Sequence, residues 1–206
     1  YWLSVRKNFS VDYHFLRQEI FLVLIFWLLL IQAFKRGTKD AVKNISVTIF
    51  GILYIFFLLS FAVTLRYLPN GVCILIMVLL VSKFGDIGGY LLGRKYGKHK
   101  LAKVISPNKT IEGACFSLLF SVLIAVIFSL IPPIRVFSLK WSIVFGIIVG
   151  FSALLGDLAE SLLKRDANVK DASNLVPAFG GILDVIDCLL ISMPVAYYSL
   201  VIFKFI

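Results

Sequence analysis

Asp157, Glu160, Ser161 and Lys164 follow i, i+3, i+4, i+7 spacing, so on a helix they form one polar stripe. Asp157 lies inside an apolar run, where an acidic group has to face a bundle interior and needs a cation or a proton. Asp184 and Asp187 stand i, i+3 at the start of the next apolar run, just after Gly180-Gly181. Two carboxylates that close repel each other unless a divalent cation or a shared proton intervenes. Across a helix hairpin, Asp157, Asp184 and Asp187 could converge on one site. Hard oxygen ligands without Cys or His suit Mg²⁺ or Mn²⁺, and Mg²⁺ prefers few carboxylates plus substrate phosphates. On the residues alone, two blander readings stand beside this one: a salt bridge of Asp157 or Glu160 with Lys164, and a proton relay in a transporter.

The segment joining the two runs carries Lys164, Arg165, Lys170 and Asp171, mixed charges that fit phosphate handling next to a carboxylate cluster. Gly180-Gly181 lets the backbone approach a ligand closely or turns the chain into the next helix. A second basic stretch runs from Gly85-Asp86 through Gly93-Arg94-Lys95 and Lys98 to Ser106-Pro107-Asn108-Lys109-Thr110-Ile111-Glu112-Gly113. Ser106 followed by Pro107 predicts an N-cap and first helical position, with Lys109 in the first turn and free N–H groups to receive phosphate. The alternative is a plain solvated basic loop. No Walker A pattern is present, so a P-loop NTPase is excluded.

The elements that position these residues are membrane helices. The chain is 60% hydrophobic and 16% charged, against about half and about a quarter for a soluble domain, so water is not its main solvent. A bilayer core of about 30 Å needs roughly 20 apolar helical residues. Six stretches approach or meet that length: 19–34, 45–65, 70–92, 114–134, 141–163 and 182–203. The expected fold is therefore all-α, a polytopic integral membrane protein with one membrane domain over 1–206. The net charge of +10 collects between spans, because Lys and Arg are costly at a helix centre. Lys35, Arg36, Lys39 and Lys43 follow the first span, Arg94 to Lys109 the third, and Lys164, Arg165 and Lys170 the fifth. The alternate loops hold Arg66, Arg135 and Lys140, so the richer side is expected to face the cytoplasm.

Basic loops this short, separated by spans, do not suit nucleic acid. Cys73, Cys115 and Cys188 sit in or beside apolar runs without metal spacing and read as reduced hydrophobes. His14 and His99 are isolated. The chain opens on Tyr1 rather than Met and shows no cleavable signal peptide, which reads as part of a longer protein with further N-terminal spans.

In order, Ser161-x-x-Lys164-Arg165-x4-Lys170-Asp171-x7-Phe179-Gly180-Gly181-x-x-Asp184-x-x-Asp187 resembles the signature of the phosphatidate cytidylyltransferases. That family reads S-x-x-K-R-x4-K-D, then H-G-G, then D-R-x-D. Gly156-Asp157-Leu-Ala-Glu160 fits as well, as do the runs Asp86 to Tyr90, Gly93 to Lys98 and Ser106 to Gly113. The resemblance spans residues 80–190 and marks them as the catalytic core. Phe179 replaces the family's His, Val185 its Arg and Ile87 a usual Thr. The first two changes remove a phosphate donor or proton shuttle and a cation, while the acidic and Lys positions are intact.

The resemblance implies that CTP and phosphatidic acid form CDP-diacylglycerol and pyrophosphate, as in phospholipid biosynthesis. It implies Mg²⁺ on Asp157, Asp184 and Asp187, with a monovalent cation such as K⁺ as a second ion. Catalytic roles fall to Lys164, Arg165, Lys170 and Asp171, the last either a ligand through water or an orienter of Lys170. Substrate contacts fall to Asp86, Ser106, Lys109, Glu112, Ser161, Gly180 and Gly181. A cytoplasm-facing site in a bacterial-type inner membrane, in contact with membrane lipids, and a homodimer are further implications. Three rivals stand beside this reading: an ion- or proton-coupled transporter, a cytidylyltransferase for another lipid phosphate, and a degenerate binding homologue.

Overall fold

A computed structural model describes residues 19–132, 136–170, 172–173, 181–203 and 205, with Arg36 described by its backbone only. Two units divide the chain, 1–60 and 61–206. In the first unit, residues 19–31 form helix α1, continued by a wider π-helical turn over Gln32–Arg36. Gly37 follows at φ +67°, the left-handed region that glycine enters without strain. Helix α2, Ala41–Arg66, begins there and runs on into the second unit at Phe61. Between 41 and 57 no described residue of it is buried.

The second unit is built from α3 (Gly71–Tyr96), α4 (Ile111–Leu130), α5 (Leu139–Asp166) and α6 (Ile182–Ile202). Together with α2 these are the five helices long and apolar enough to cross a membrane among the described residues. They correspond to the second to sixth expected spans. The first expected span is helical over 19–36 but does not belong to that set.

α4 packs against α3 and α5, and α5 against α6. Lipid offers no hydrophobic driving force between helices, so close packing of small residues has to hold them together. α4 supplies small residues at every fourth position, Gly113, Ser117, Ser121 and Ala125, all buried. A Cβ added at Gly93 of α3 would lie 2.8 Å from the Gly113 Cα, closer than side chains tolerate. Hydrogen bonds reinforce the packing. The Ser121 hydroxyl donates to the Val81 carbonyl at 3.0 Å, and the Ser82 and Ser192 hydroxyls meet at 3.2 Å. Met77, Val78, Val81, Phe145, Val149, Leu190 and Met193 fill the interior.

Between α3 and α4, β1 (Lys100–Ala102) pairs antiparallel with β2 (Ser106–Thr110), Lys100 opposite Thr110 and Ala102 opposite Ser106. This hairpin is the one exception to an all-helical fold among the described residues, and it corrects a sequence expectation. Ser106 and Pro107 open a strand rather than a helix, and Lys109 lies on that strand. The ladder takes up the backbone groups of 106–110, so the helix starts four residues later. Thr110 is the actual cap, its hydroxyl accepting the Gly113 N–H at 3.1 Å. The end of α3, the hairpin, the start of α4, the end of α5 and the start of α6 follow one another at the same end of the bundle.

Candidate active site

The last three turns of α5 and the first two of α6 meet at that end. Gly156 makes this possible: a Cβ there would lie 2.7 Å from the Asp187 carbonyl and 3.1 Å from the Cys188 Cα. The close approach brings carboxylates of the two helices together. One oxygen each of Asp157, Glu160 and Asp187 lie within 4.8 Å of one another. Glu160 and Asp187 are buried and Asp157 is half-buried.

Lysines from three different elements surround this group. Lys109 of β2 pairs with Asp157. Lys164 of α5 lies 2.6 Å from Glu160, one helical turn away. Lys83 of α3 reaches to 4.0 Å from Asp187 and 3.8 Å from Asp86. The Lys164 ammonium also holds Asp184 at 2.7 Å. In formal charges, these five carboxylates and three ammoniums leave two negative charges, which one divalent cation neutralises. Glu160 Oε1 is fully buried and has no hydrogen-bond partner, an arrangement that costs free energy unless something occupies it. All-oxygen donors with an unsatisfied buried oxygen fit a hard divalent ion. The group can hold a metal.

Two of the three carboxylates expected to hold the metal, Asp157 and Asp187, belong to this group. The third, Asp184, has both oxygens engaged elsewhere. Its Oδ1 accepts from Lys164, and its Oδ2 accepts the N–H groups of Gly181 at 2.6 Å and Ala172 at 2.9 Å. It closes the first turn of α6, where a negative charge also complements the helix dipole. Glu160, rather than Asp184, is the third carboxylate with an oxygen within 4.8 Å of the other two. The sequence held the signal, since Glu160 lies on the polar stripe; the salt bridge to Lys164 that stood as the blander reading for Asp157 or Glu160 is formed by Glu160, the same residue that joins the carboxylate group.

Among the other expected site residues, Arg165 is exposed and donates through Nε to the Ile105 carbonyl of the hairpin turn at 3.4 Å. Lys170 is exposed, and Ser161 is half-buried beside Glu160. Ser106 starts β2 and is half-buried. Glu112 braces the hairpin entrance. It accepts the Lys98 N–H at 3.0 Å and the His99 N–H at 3.2 Å, and its Oε1 lies 2.6 Å from His99 Nδ1. Gly181 packs against Ser173 and Ala172 so tightly that a Cβ would lie 2.9 Å from the Ser173 nitrogen, as expected for a close backbone approach. Asp171, Phe179 and Gly180 lie outside the described residues. Val185 is half-buried on α6. Lys83 was not singled out by sequence, although a lysine inside an expected span is itself a functional signal.

Fold and site thus define a polytopic helical membrane protein with a carboxylate–lysine centre at one end of its bundle. The chain belongs to the cytidylyltransferase family, whose pattern matches residues 1–203. A phosphatidate cytidylyltransferase of Chlamydia pneumoniae is 36% identical over 216 residues, covering 98% of this chain and 68% of that protein. One of Chlamydia muridarum is 42% identical over 131 residues, covering 62% of this chain and 43% of that protein. One of Synechocystis is 36% identical over 139 residues, with 65% and 45% covered. The matches cover between 43% and 68% of the length of these relatives. Membership of this family sets aside the transporter reading.

Proposed function

We propose that this chain carries the core of a phosphatidate cytidylyltransferase, with residues 80–190 holding the active site, and that the full-length protein converts CTP and phosphatidic acid to CDP-diacylglycerol. The observation that carries the reading is the buried Asp157–Glu160–Asp187 group, ringed by Lys83, Lys109 and Lys164. Nucleotidyl transfer requires little covalent work from a protein; it relies on positioning and on charge neutralisation. An oxygen of the lipid phosphate attacks the α-phosphorus of CTP. A new P–O bond forms there, the bond from that phosphorus to the bridging oxygen breaks, and pyrophosphate leaves with the electron pair.

In this reading Asp157, Glu160 and Asp187 hold Mg²⁺, and Asp184 keeps Lys164 in place rather than binding the ion. Bound there, the cation neutralises charge on the triphosphate. Lys109 and Lys164 approach the same phosphates from β2 and α5. Arg165 and Lys170, at the exposed end of α5 and just beyond it, suit the departing pyrophosphate. Glu112 and Ser106 hold the hairpin that carries Lys109, and Asp171 serves either as a ligand through water or as an orienter of Lys170. A second, monovalent cation, the cytoplasmic orientation in a bacterial-type inner membrane, and a homodimer belong to the same proposal. The lysine-rich loops support the orientation, and the family resemblance supports the other two.

The test is CTP-dependent conversion of phosphatidic acid by purified full-length protein in detergent, with and without Mg²⁺. Mg²⁺-dependent CDP-diacylglycerol is the expected product. No product where a relative with the complete motif is active would overturn the assignment and turn attention to Phe179, Val185 and other lipid phosphates.

A further inference from the structure

We infer that Lys83 binds the phosphate of the lipid substrate and forms a subsite separate from the lysines that serve the nucleotide. The inference rests on the proposed reaction for the identity of the lipid. Of the three lysines around the carboxylates, Lys83 stands furthest from the end of its own helix or strand. It lies thirteen residues before the end of α3 at Tyr96, about 20 Å along a helix rising about 1.5 Å per residue. Lys109 stands on the hairpin outside the spans, and Lys164 is two residues from the end of α5. Nucleotide and lipid reach such a centre from opposite directions, one from water and one from the bilayer. An ammonium on the bilayer side is therefore placed to meet the lipid phosphate first.

The state of the ammonium supports this. Charge inside a span is costly and has to face a polar partner or cavity. The Lys83 side chain is 36% exposed, against 21% for Lys109 and 17% for Lys164. Its ion pairs with Asp86 and Asp187 measure 3.8 and 4.0 Å, too long for hydrogen bonds, whereas those of Lys164 measure 2.6 and 2.7 Å. The Cys188 thiol also faces it, a weak acceptor. The two aspartates thus keep the charge in place and leave its N–H donors for another acceptor. A phosphomonoester offers several charged oxygens to those donors.

The experiment uses the full-length protein and two readouts. Initial rates are measured with phosphatidate and CTP varied separately, and equilibrium binding of a short-chain phosphatidate is measured without CTP. Lys83→Met is expected to raise the KM and Kd for phosphatidate roughly tenfold to a hundredfold, the weight of a hydrogen bond to a charged group. The KM for CTP should stay within about twofold, and Lys83→Arg should recover most of the phosphatidate affinity. An increase confined to CTP, or an equal increase for both substrates, would overturn the inference and leave Lys83 as a counter-ion of Asp187. Lys83→Gln is the second variant; if neither it nor Lys83→Met yields folded protein, Lys83 is structural and the inference falls. Wild-type protein that makes no product refutes the proposed reaction, while the binding comparison still decides whether Lys83 holds a lipid phosphate.

Discussion

Glu160 and Asp184 share one ammonium, that of Lys164, yet they are held in opposite ways. Asp184 sits at the start of α6 with both oxygens occupied, by Lys164 on one side and by the backbone N–H groups of Ala172 and Gly181 on the other. Glu160 sits deeper, fully buried, with Oε1 unpartnered and two further carboxylates within reach. A carboxylate with both oxygens engaged fixes the chain around it. A carboxylate left partly unsatisfied in a buried place is poised for a ligand. Sequence spacing alone treats Asp184 as the better metal ligand, because it pairs with Asp187 at i, i+3.

Variants at the two places should separate them. The largest effect is expected from Asp157→Asn, Glu160→Gln or Asp187→Asn in the full-length protein. Each should lower turnover about a thousandfold, equivalent to the several kcal/mol that a bound metal supplies to phosphoryl chemistry. Retained expression and thermal stability would locate the loss in the site. Asp184→Asn comes next. It keeps the shape and can still accept an N–H bond, but it weakens the hold on Lys164, so turnover should fall about tenfold to a hundredfold, the range for residues that orient a metal site. A fall as deep as that of Glu160→Gln would break the distinction.

Gly156→Ala acts on both places at once, since its Cβ would press on the Asp187 carbonyl and push α5 from α6. A loss of about 1–3 kcal/mol in stability is expected, as for overpacking elsewhere, read by detergent-phase thermal unfolding. Unchanged stability would mean that the helices are not in close contact there. The smallest effect belongs to Glu112→Gln, outside the comparison. It weakens an exposed bond to His99 and two backbone bonds at the hairpin entrance, so the KM for CTP should rise only a few-fold, in keeping with about 1 kcal/mol or less for exposed pairs.

Much of this molecule is legible in its sequence because a bilayer leaves a helix few choices. Five spans fall where apolar runs predict them; α5, expected over 141–163, runs Leu139–Asp166, since the polar stripe beyond the apolar run stays helical on packing against α6. Asp157 was legible as a charge inside an apolar run, and Asp187 through its i, i+3 pairing with Asp184 at the start of the next run. The hairpin was not. Ser106-Pro107 carries a helix-start pattern, and only the strand partner Lys100–Ala102 decides against it. Thr110, directly before the Ile111 run, caps the helix instead. Glu160's place beside Asp187 depends on Gly156 letting α6 approach, a distance that no spacing within one helix reveals.

The most direct test of the carboxylate assignment is Mn²⁺ binding, followed by electron paramagnetic resonance on purified full-length protein without substrate. Wild type, Glu160→Gln and Asp184→Asn would be titrated side by side. Affinity lowered about tenfold or more in Glu160→Gln, and within a few-fold of wild type in Asp184→Asn, is the predicted result. Binding abolished in Asp184→Asn and preserved in Glu160→Gln would contradict it and return the ion to Asp184.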